Sequence, residues 1–280
     1  MKTTVQAALT AAIQKLVMSE TARIDAEIIL GYCLSKELSY LYTWPEAILS
    51  DEQLRCFNAY IERRWLGEPV AYITGYRDFW NQRLIVSENV LIPRPETELL
   101  VERSLKRLGP VEVLSVADLG TGTGAIAIAI ASERPLCNIT ATDVSHANLS
   151  LACKNANVYN LENIHFILSN WLTSLKDKTF HVIISNPPYI VKNDIHLTTG
   201  DVRYEPEEAL VSDENGLSDI RIIIRDSKRA LKNGGWLLIE HGYDQSRDVQ
   251  DIFKQYGYTG IGSYKDLNGW PRITEGQIYY

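Results

Sequence analysis

The stretch Asp118-Leu119-Gly120-Thr121-Gly122-Thr123-Gly124 lies between an apolar run over 113–118 and a helical run over 125–133. Its glycines permit tight turning and close backbone approach to a ligand. The helix beyond offers unpaired N–H groups. A strand, a glycine turn and a helix in direct succession form one unit of an open α/β sheet, with a ligand at the switch point. Gly120, Gly122 and Ala125 also satisfy G-x-G-x-x-A. The loop alone therefore predicts a nucleotide-like cofactor without choosing which.

The rest of the chain extends that unit. Further strands are predicted over 138–143, 164–168, 180–185 and 236–240, and strand character over 258–264 and 277–280. Pro271 cannot sit inside a central ladder and marks a turn before the last strand. Helices are predicted over 146–157, 217–231 and 245–255, the second with Ile220, Ile223, Ile224 and Ala230 facing the core. Regular alternation of this kind predicts an α/β fold, a Rossmann-like doubly wound sheet that is mostly parallel. The first 66 residues differ. Val5, Leu9, Ile13, Leu16 and Val17 follow one helical face. Ser50-Asp51-Glu52-Gln53 is a capping-box pattern opening a helix with Leu54, Phe57, Ile61 and Trp65 inward. Arg63 and Arg64 end that helix and suit its dipole, and Gly67 stops it. From 67 to 98, strand-like residues including Tyr72 and Ile73 are broken by Gly75 and polar turns, which predicts a connecting β-hairpin. The expected organisation is a small helical domain over 1–75, a hairpin linker over 76–95 and a sheet domain over 96–280. Pro95 is placed near the first turn of a helix over 96–108.

Several function classes are disfavoured. Apolar residues are 45% and charged residues 22% of the chain, a globular balance. No apolar run reaches the roughly 18 residues of a membrane helix. Thr and Gln interrupt the N-terminal apolar stretch, which argues against a signal peptide. A net charge of −7 weakens a reading as a general nucleic-acid binder. Cys33, Cys56, Cys137 and Cys153 include no C-x-x-C pair, so they read as small apolar residues of a reducing, cytoplasmic setting. His146, His165, His181, His196 and His241 show no metal-ligand spacing, and no metal is expected. His181 reads as a core histidine, and His241 as a neighbour of the site rather than a base.

Asp143 ends the second strand of the sheet, where a carboxylate can accept both hydroxyls of a ribose. A capping role for the following helix is the alternative, and Ser145 competes for it. The discriminating segment is Asn186-Pro187-Pro188-Tyr189, at the end of the fourth strand. A hydride-transfer enzyme has no use for it there. A methyltransferase acting on a planar nitrogen does, because that lone pair is delocalised and the N–H groups must be held. The Asn186 oxygen and the Pro187 carbonyl can each accept one hydrogen bond. The two prolines make these acceptors converge, and Tyr189 can cover the flat face of the substrate. Rate enhancement then comes from alignment and preorganised dipoles. Glu205, Glu207 and Glu208 lie in the long connection that follows, read equally as a substrate loop or a solvated acidic one.

On these residues the chain resembles the S-adenosylmethionine-dependent peptide chain release factor glutamine methyltransferases. The resemblance covers Gly67-Glu68-Pro69-Val70-Ala71-Tyr72-Ile73-Thr74-Gly75, Phe79-Trp80, Ile92-Pro93-Arg94-Pro95-Glu96-Thr97-Glu98, the glycine loop, Asn186-Pro187-Pro188-Tyr189-Ile190, Tyr204-Glu205-Pro206 and Glu240-His241-Gly242. It implies methyl transfer from S-adenosylmethionine to the side-chain nitrogen of the glutamine in the Gly-Gly-Gln motif of class I release factors. By position, Gly120, Thr121, Gly122, Thr123, Gly124, Asp143 and Asn186 would hold the cofactor, with Trp171 near the adenine. Asn186, Pro187, Pro188 and Tyr189 would hold the glutamine, and Asn186, Pro187 and Tyr189 would carry catalysis. The N-terminal domain would contact the release factor, and a cytoplasmic monomer is expected. Arg94 and Glu96 receive no catalytic step. Asn170 stands where the family often has Asp, and the turn Asn268-Gly269-Trp270-Pro271 is less charged than the family's. An adenine-N6 nucleic-acid methyltransferase shares Asn-Pro-Pro-Tyr and is the alternative, but it needs a basic groove. An NAD-binding oxidoreductase is supported by the glycine loop alone. A non-catalytic binding protein predicts a broken loop or a substituted Asn186, and neither is present.

Overall fold

The computed structural model describes residues 2–280. The chain divides into two compact units. One comprises the chain up to Tyr76 together with Thr199–Tyr204, and the other comprises Arg77–Thr198 and Glu205–Tyr280.

The first unit holds helices α1 (Val5–Lys15), α2 (Ala22–Leu34), α3 (Leu38–Thr43), α4 (Asp51–Trp65) and α5 (Val70–Thr74). Thr4 caps α1, and Ser50 with Gln53 forms the expected capping box on α4. Val5, Ala8, Ala12, Ile29, Leu30, Phe57 and Ile61 share one core. Trp65 departs from the sequence reading. It is 53% exposed and lies beneath the Lys15 ammonium, whereas Leu54 packs partly buried at the core margin. Tyr72 and Ile73 are also not strand. Pro69 opens and left-handed Gly75 closes a one-turn helix that buries both. Arg64 does more than suit a dipole. Its guanidinium is paired with Asp25 at 2.8 Å and Asp201 at 2.6 Å. Cys33 and Cys56, unrelated by spacing, face each other with sulfurs 3.2 Å apart and are both free thiols.

From the end of the first unit's main segment, β1 (Tyr76–Phe79) and β2 (Gln82–Ile85) form the expected hairpin, all of it after Tyr76 in the second unit. After the turn Pro95–Thr97 come α6 (Glu98–Arg107), β3 (Ser115–Leu119), α7 (Ala125–Glu133), β4 (Asn138–Asp143), α8 (His146–Val158), β5 (Ile164–Leu168) and β6 (Phe180–Ser185). The chain ends with α9 (Asp213–Gly216), α10 (Ser218–Ala230), β7 (Leu231–Glu240), α11 (Ser246–Gln255), β8 (Thr259–Lys265) and β9 (Pro271–Gln277). The last strand thus begins at Pro271 and ends where the sequence placed its start. Proline is tolerated as the first residue of a strand because no earlier ladder bond is required.

The seven strands run in the order β5-β4-β3-β6-β7-β9-β8, parallel except for β9. Strand residues alternate between two apolar layers, as a sheet covered on both faces requires. Val182 and Ile184 join the layer containing α6 and α7, and Ile183 joins the layer containing α10 and α11. Helix α7 is buried at every position from 125 to 131, which suits its uniformly apolar sequence. The chain runs outward from β3 to β5 and returns to β6 on the other side of β3. A crevice therefore opens at the carboxyl ends of β3 and β6. No helix among the described residues is long and apolar enough to cross a membrane.

Candidate active site

The loop after β3 turns through three left-handed glycines, Gly120 at φ +70°, Gly122 at φ +56° and Gly124 at φ +85°. A Cβ on Gly120 would stand 3.0 Å from the Trp171 ring, and one on Gly124 would stand 3.1 Å from the Ala152 Cβ. At Gly122 the nearest neighbour would be Val90, at 3.5 Å. The loop is fixed from behind. Thr121 donates its hydroxyl to Asp118 at 2.6 Å and its N–H to the Thr142 carbonyl at 2.8 Å. Asp118 is fully buried, and desolvation pushes its pKa up to about 7. Asn155 of α8 donates to the Thr123 carbonyl at 2.9 Å and also brackets the backbone of Ile85 on the hairpin.

Asp143 does two things at once. One carboxylate oxygen accepts the Gly122 N–H at 2.9 Å, and the other accepts the Ser145 N–H at 2.8 Å and the Asn148 amide at 3.3 Å. Ser145, not Asp143, is the N-cap of α8, and Asp143 braces that corner through the Ser145 N–H. The carboxylate has about four lone-pair sites, and three are taken, which leaves acceptor capacity for about one further donor. Trp171 adopts a left-handed backbone at φ +47°, uncommon for a bulky residue. Its ring stands beside Gly120, and its N–H donates to Asp219 at 3.2 Å. Asp219 is held in turn by the Ser212 hydroxyl at 2.6 Å. Asn170 is exposed.

The second segment leaves β6. Pro187 is buried, and Asn186, Pro188 and Tyr189 are half-buried. The Asn186 amide donates to the Thr97 hydroxyl at 3.2 Å. The Tyr189 hydroxyl points to Glu240 at 3.4 Å, and burial beside that acid pushes the phenol pKa up. The Tyr189 carbonyl accepts from the Gln245 amide at 3.0 Å, whose oxygen takes the Gly242 N–H at 2.8 Å. Glu214, Asn215 and Gly216 are three consecutive left-handed residues. A Cβ on Gly216 would stand 2.0 Å from the Tyr189 carbonyl oxygen. Glu240 is 1% exposed. Desolvation raises its pKa to about 7, with Thr97, Arg272 and Tyr189 opposing the rise and Glu96 adding to it. Arg94 pairs with the buried carboxylate of Glu205 at 2.6 Å.

The tertiary structure thus brings together Asn186, Tyr189, Thr97 and Glu240 around one segment, and the glycine loop, Asp143 and Trp171 around another. Sequence reasoning missed Thr97, Glu240, Gln245 and Asp219 as supports. Thr97 and Glu240 did lie in quoted motifs, whereas nothing marked Gln245 or Asp219. His241 is buried, with one ring nitrogen against the Gly242 carbonyl and the other against Thr274. Burial lowers its pKa, against the Gly242 carbonyl, which raises it. His181 accepts the Ser115 N–H at 2.9 Å and helps start β3. Among the described residues no three His, Cys, Asp or Glu side chains gather as a metal site.

Residues 7–75 match the family model of the PrmC N-terminal domain, and residues 95–202 match that of the methyltransferase small domain. The release factor glutamine methyltransferase of Aliivibrio fischeri is 47% identical over 99% of this chain and 98% of its own length. That of Escherichia coli K12 is 45% identical over 96% of each chain. A methyltransferase from Pyrococcus furiosus superposes with a TM-score of 0.55 at 14% identity, over 78% of this chain and 98% of its own. A 16S rRNA N2-G1207 methyltransferase from T. thermophilus, in complex with AdoMet and guanosine, gives a TM-score of 0.51 at 16% identity over 72% and 49%. At such identities the structural likeness is one of fold.

Proposed function

We infer the function of this site from a premise: the chain belongs to the release factor glutamine methyltransferase family. It is an S-adenosylmethionine-dependent protein-(glutamine-N5) methyltransferase. The observation that carries this is 47% identity over nearly the whole length of both chains, in a chain whose Asn-Pro-Pro-Tyr follows β6 next to the strand that ends in the glycine loop. Adenine-N6 methylation of nucleic acid is not favoured, since relatives matching both units bear the release factor name.

Within that function we propose the roles. Gly120, Thr121, Gly122, Thr123, Gly124, Asp143, Trp171 and Asn186 hold the cofactor. The residues present fit it: three left-handed glycines let the loop backbone approach a ligand closely, Asp143 keeps spare acceptor capacity, and the Trp171 ring stands beside Gly120. When bound, S-adenosylmethionine supplies a methyl group on a cationic sulfonium. The Asn186 oxygen and the Pro187 carbonyl take the two N–H bonds of the glutamine amide, so that its nitrogen is aligned. Pro188 stiffens the segment, and Tyr189 covers the amide face. No strong base is needed, because orientation and preorganised dipoles supply the acceleration.

The proposed substrate is the Gly-Gly-Gln glutamine of class I release factors. Residues 1–75 are proposed to bind that partner, 76–95 to connect and 96–280 to carry catalysis. Exposed Tyr42, Trp44 and Trp65 on the first unit support the binding role, because aromatic side chains are enriched at interfaces. The enzyme is read as a cytoplasmic monomer that needs no nucleic acid. The test is peptide-level mass spectrometry of a purified release factor incubated with this protein and labelled S-adenosylmethionine. One methyl on the Gly-Gly-Gln glutamine is expected. Label in adenine of added DNA, with none on the protein, would overturn the reading.

A further inference from the structure

Asn186 carries a two-sided amide, and one orientation alone serves the reaction. Its oxygen must face the acceptor, and its NH2 must be taken up by the protein. Thr97 takes it up. The Thr97 hydroxyl, 4% exposed, accepts the Asn186 N–H at 3.2 Å. A hydroxyl that accepts there still has its own proton to place. The group facing it is the Glu240 carboxylate, 1% exposed at the end of β7. One oxygen of Glu240 is approached by the Tyr189 hydroxyl at 3.4 Å, and the other has no hydrogen-bond partner among the described residues. The neighbouring charges are Arg272 and Glu96.

An ionised carboxylate only accepts. Beside Thr97, its unpaired oxygen is an available acceptor for the hydroxyl proton, and a hydroxyl that donates there keeps its oxygen turned to the Asn186 NH2. With a protonated Glu240 the hydroxyl could be given a proton instead, and the Asn186 amide would gain a second, inverted orientation. We propose that Thr97, backed by Glu240, is the positioning residue of this methyltransferase, setting the Asn186 amide with its oxygen toward the substrate nitrogen. This rests on the reading of Asn186 as the acceptor of the glutamine N–H.

The experiment compares Thr97→Ser and Thr97→Ala in the full-length enzyme, which differ by one hydroxyl. Single-turnover methylation of a release factor, cofactor Kd and thermal unfolding are measured for each. Thr97→Ser is expected within about threefold of wild type in kcat, and Thr97→Ala lower by roughly 10- to 100-fold with cofactor Kd unchanged. In an Asn186→Ala background, Thr97→Ala should cost nothing more, because the two act as a unit. Equal kcat in the Ser and Ala variants overturns the proposal, as does a full multiplicative loss in the double variant. Should Thr97→Ala not fold, Thr97→Val, of the same shape without the hydroxyl, takes its place. Wild-type turnover in Asn186→Ala alone would instead overturn the site reading beneath.

Discussion

Leu119 and Ser185 are register partners on adjacent parallel strands, and the Ser185 hydroxyl donates to the Leu119 carbonyl at 2.9 Å. Both are fully buried. The residue after one begins the glycine loop, and the residue after the other is Asn186. One rung of the sheet therefore sets the separation of the glycine loop from the Asn-Pro-Pro-Tyr segment. Replacing Ser185 with Ala removes a buried donor from a carbonyl at that rung. We expect a loss of about 1–2 kcal/mol in unfolding free energy, measured by urea titration. An unchanged midpoint with an unchanged slope would contradict it.

Asn186→Ala and Asp143→Ala should separate cleanly. The first removes the proposed acceptor of the substrate N–H and one of eight proposed cofactor contacts, so turnover should fall by about 10²–10³-fold while cofactor affinity weakens by only a few-fold. The second frees the Gly122 N–H and loosens the loop, so cofactor Kd should rise by about tenfold or more. Isothermal titration with S-adenosylmethionine, alongside single-turnover rates, reads both. The reverse pattern would exchange the two assignments.

Gly216→Ala tests the backbone beneath the acceptor segment. The added methyl would meet the Tyr189 carbonyl oxygen at 2.0 Å, in a left-handed conformation of φ +79°. The segment from Asn186 to Tyr189 must shift, and a displacement near 1 Å can cost roughly 100-fold in rate. Turnover should fall more than cofactor binding does. Wild-type kcat would show that the segment tolerates displacement.

Stability should decline as the pH rises from about 4 to about 7. Asp118 and Glu240 both have folded-state pKa values raised to about 7 by desolvation, whereas in the unfolded chain carboxyls titrate near 4. In that window the folded state holds protons that the unfolded chain has released, so deprotonation favours unfolding. Thermal unfolding across the window is expected to show a falling Tm. The fall should shrink in Glu240→Gln, and an identical slope in that variant would exclude Glu240 as a contributor.

Arg64→Met should destabilise the first unit. Arg64 is 11% exposed, between Asp25 and Asp201. Removing the cation leaves the buried Asp25 carboxylate without its charge partner, a loss of roughly 3 kcal/mol. The measurement is the urea midpoint of the full-length enzyme, and an unchanged value would reduce the cluster to a surface contact.

The βα order, the glycine loop, the capping box at Ser50 and the strand over Phe180–Ser185 were legible in the sequence. Near-neighbour sterics and apolar periodicity decide these features, and both act within a few residues. Short segments were less legible. Val70–Thr74 holds apolar and β-branched residues in too short a run for its period to show, and the flanking Pro69 and Gly75 closed it as a helix instead. Trp65 continued the apolar face of α4 in sequence yet points outward, because only packing decides whether the last turn of a helix has a neighbour.

The sequence by itself thus determined most of the segments that become strand, helix and turn, and it singled out the turns after β3 and β6 as candidates for function. Only the tertiary structure decided what stands behind those groups. Thr97 meets Asn186 across 89 residues, and Arg94 meets Glu205 across 111. The physical reason is that such pairs depend on strand order and register. Local residue preferences shape one segment at a time, but the order in which β3, β6 and β7 lie side by side emerges when the whole sheet buries both faces.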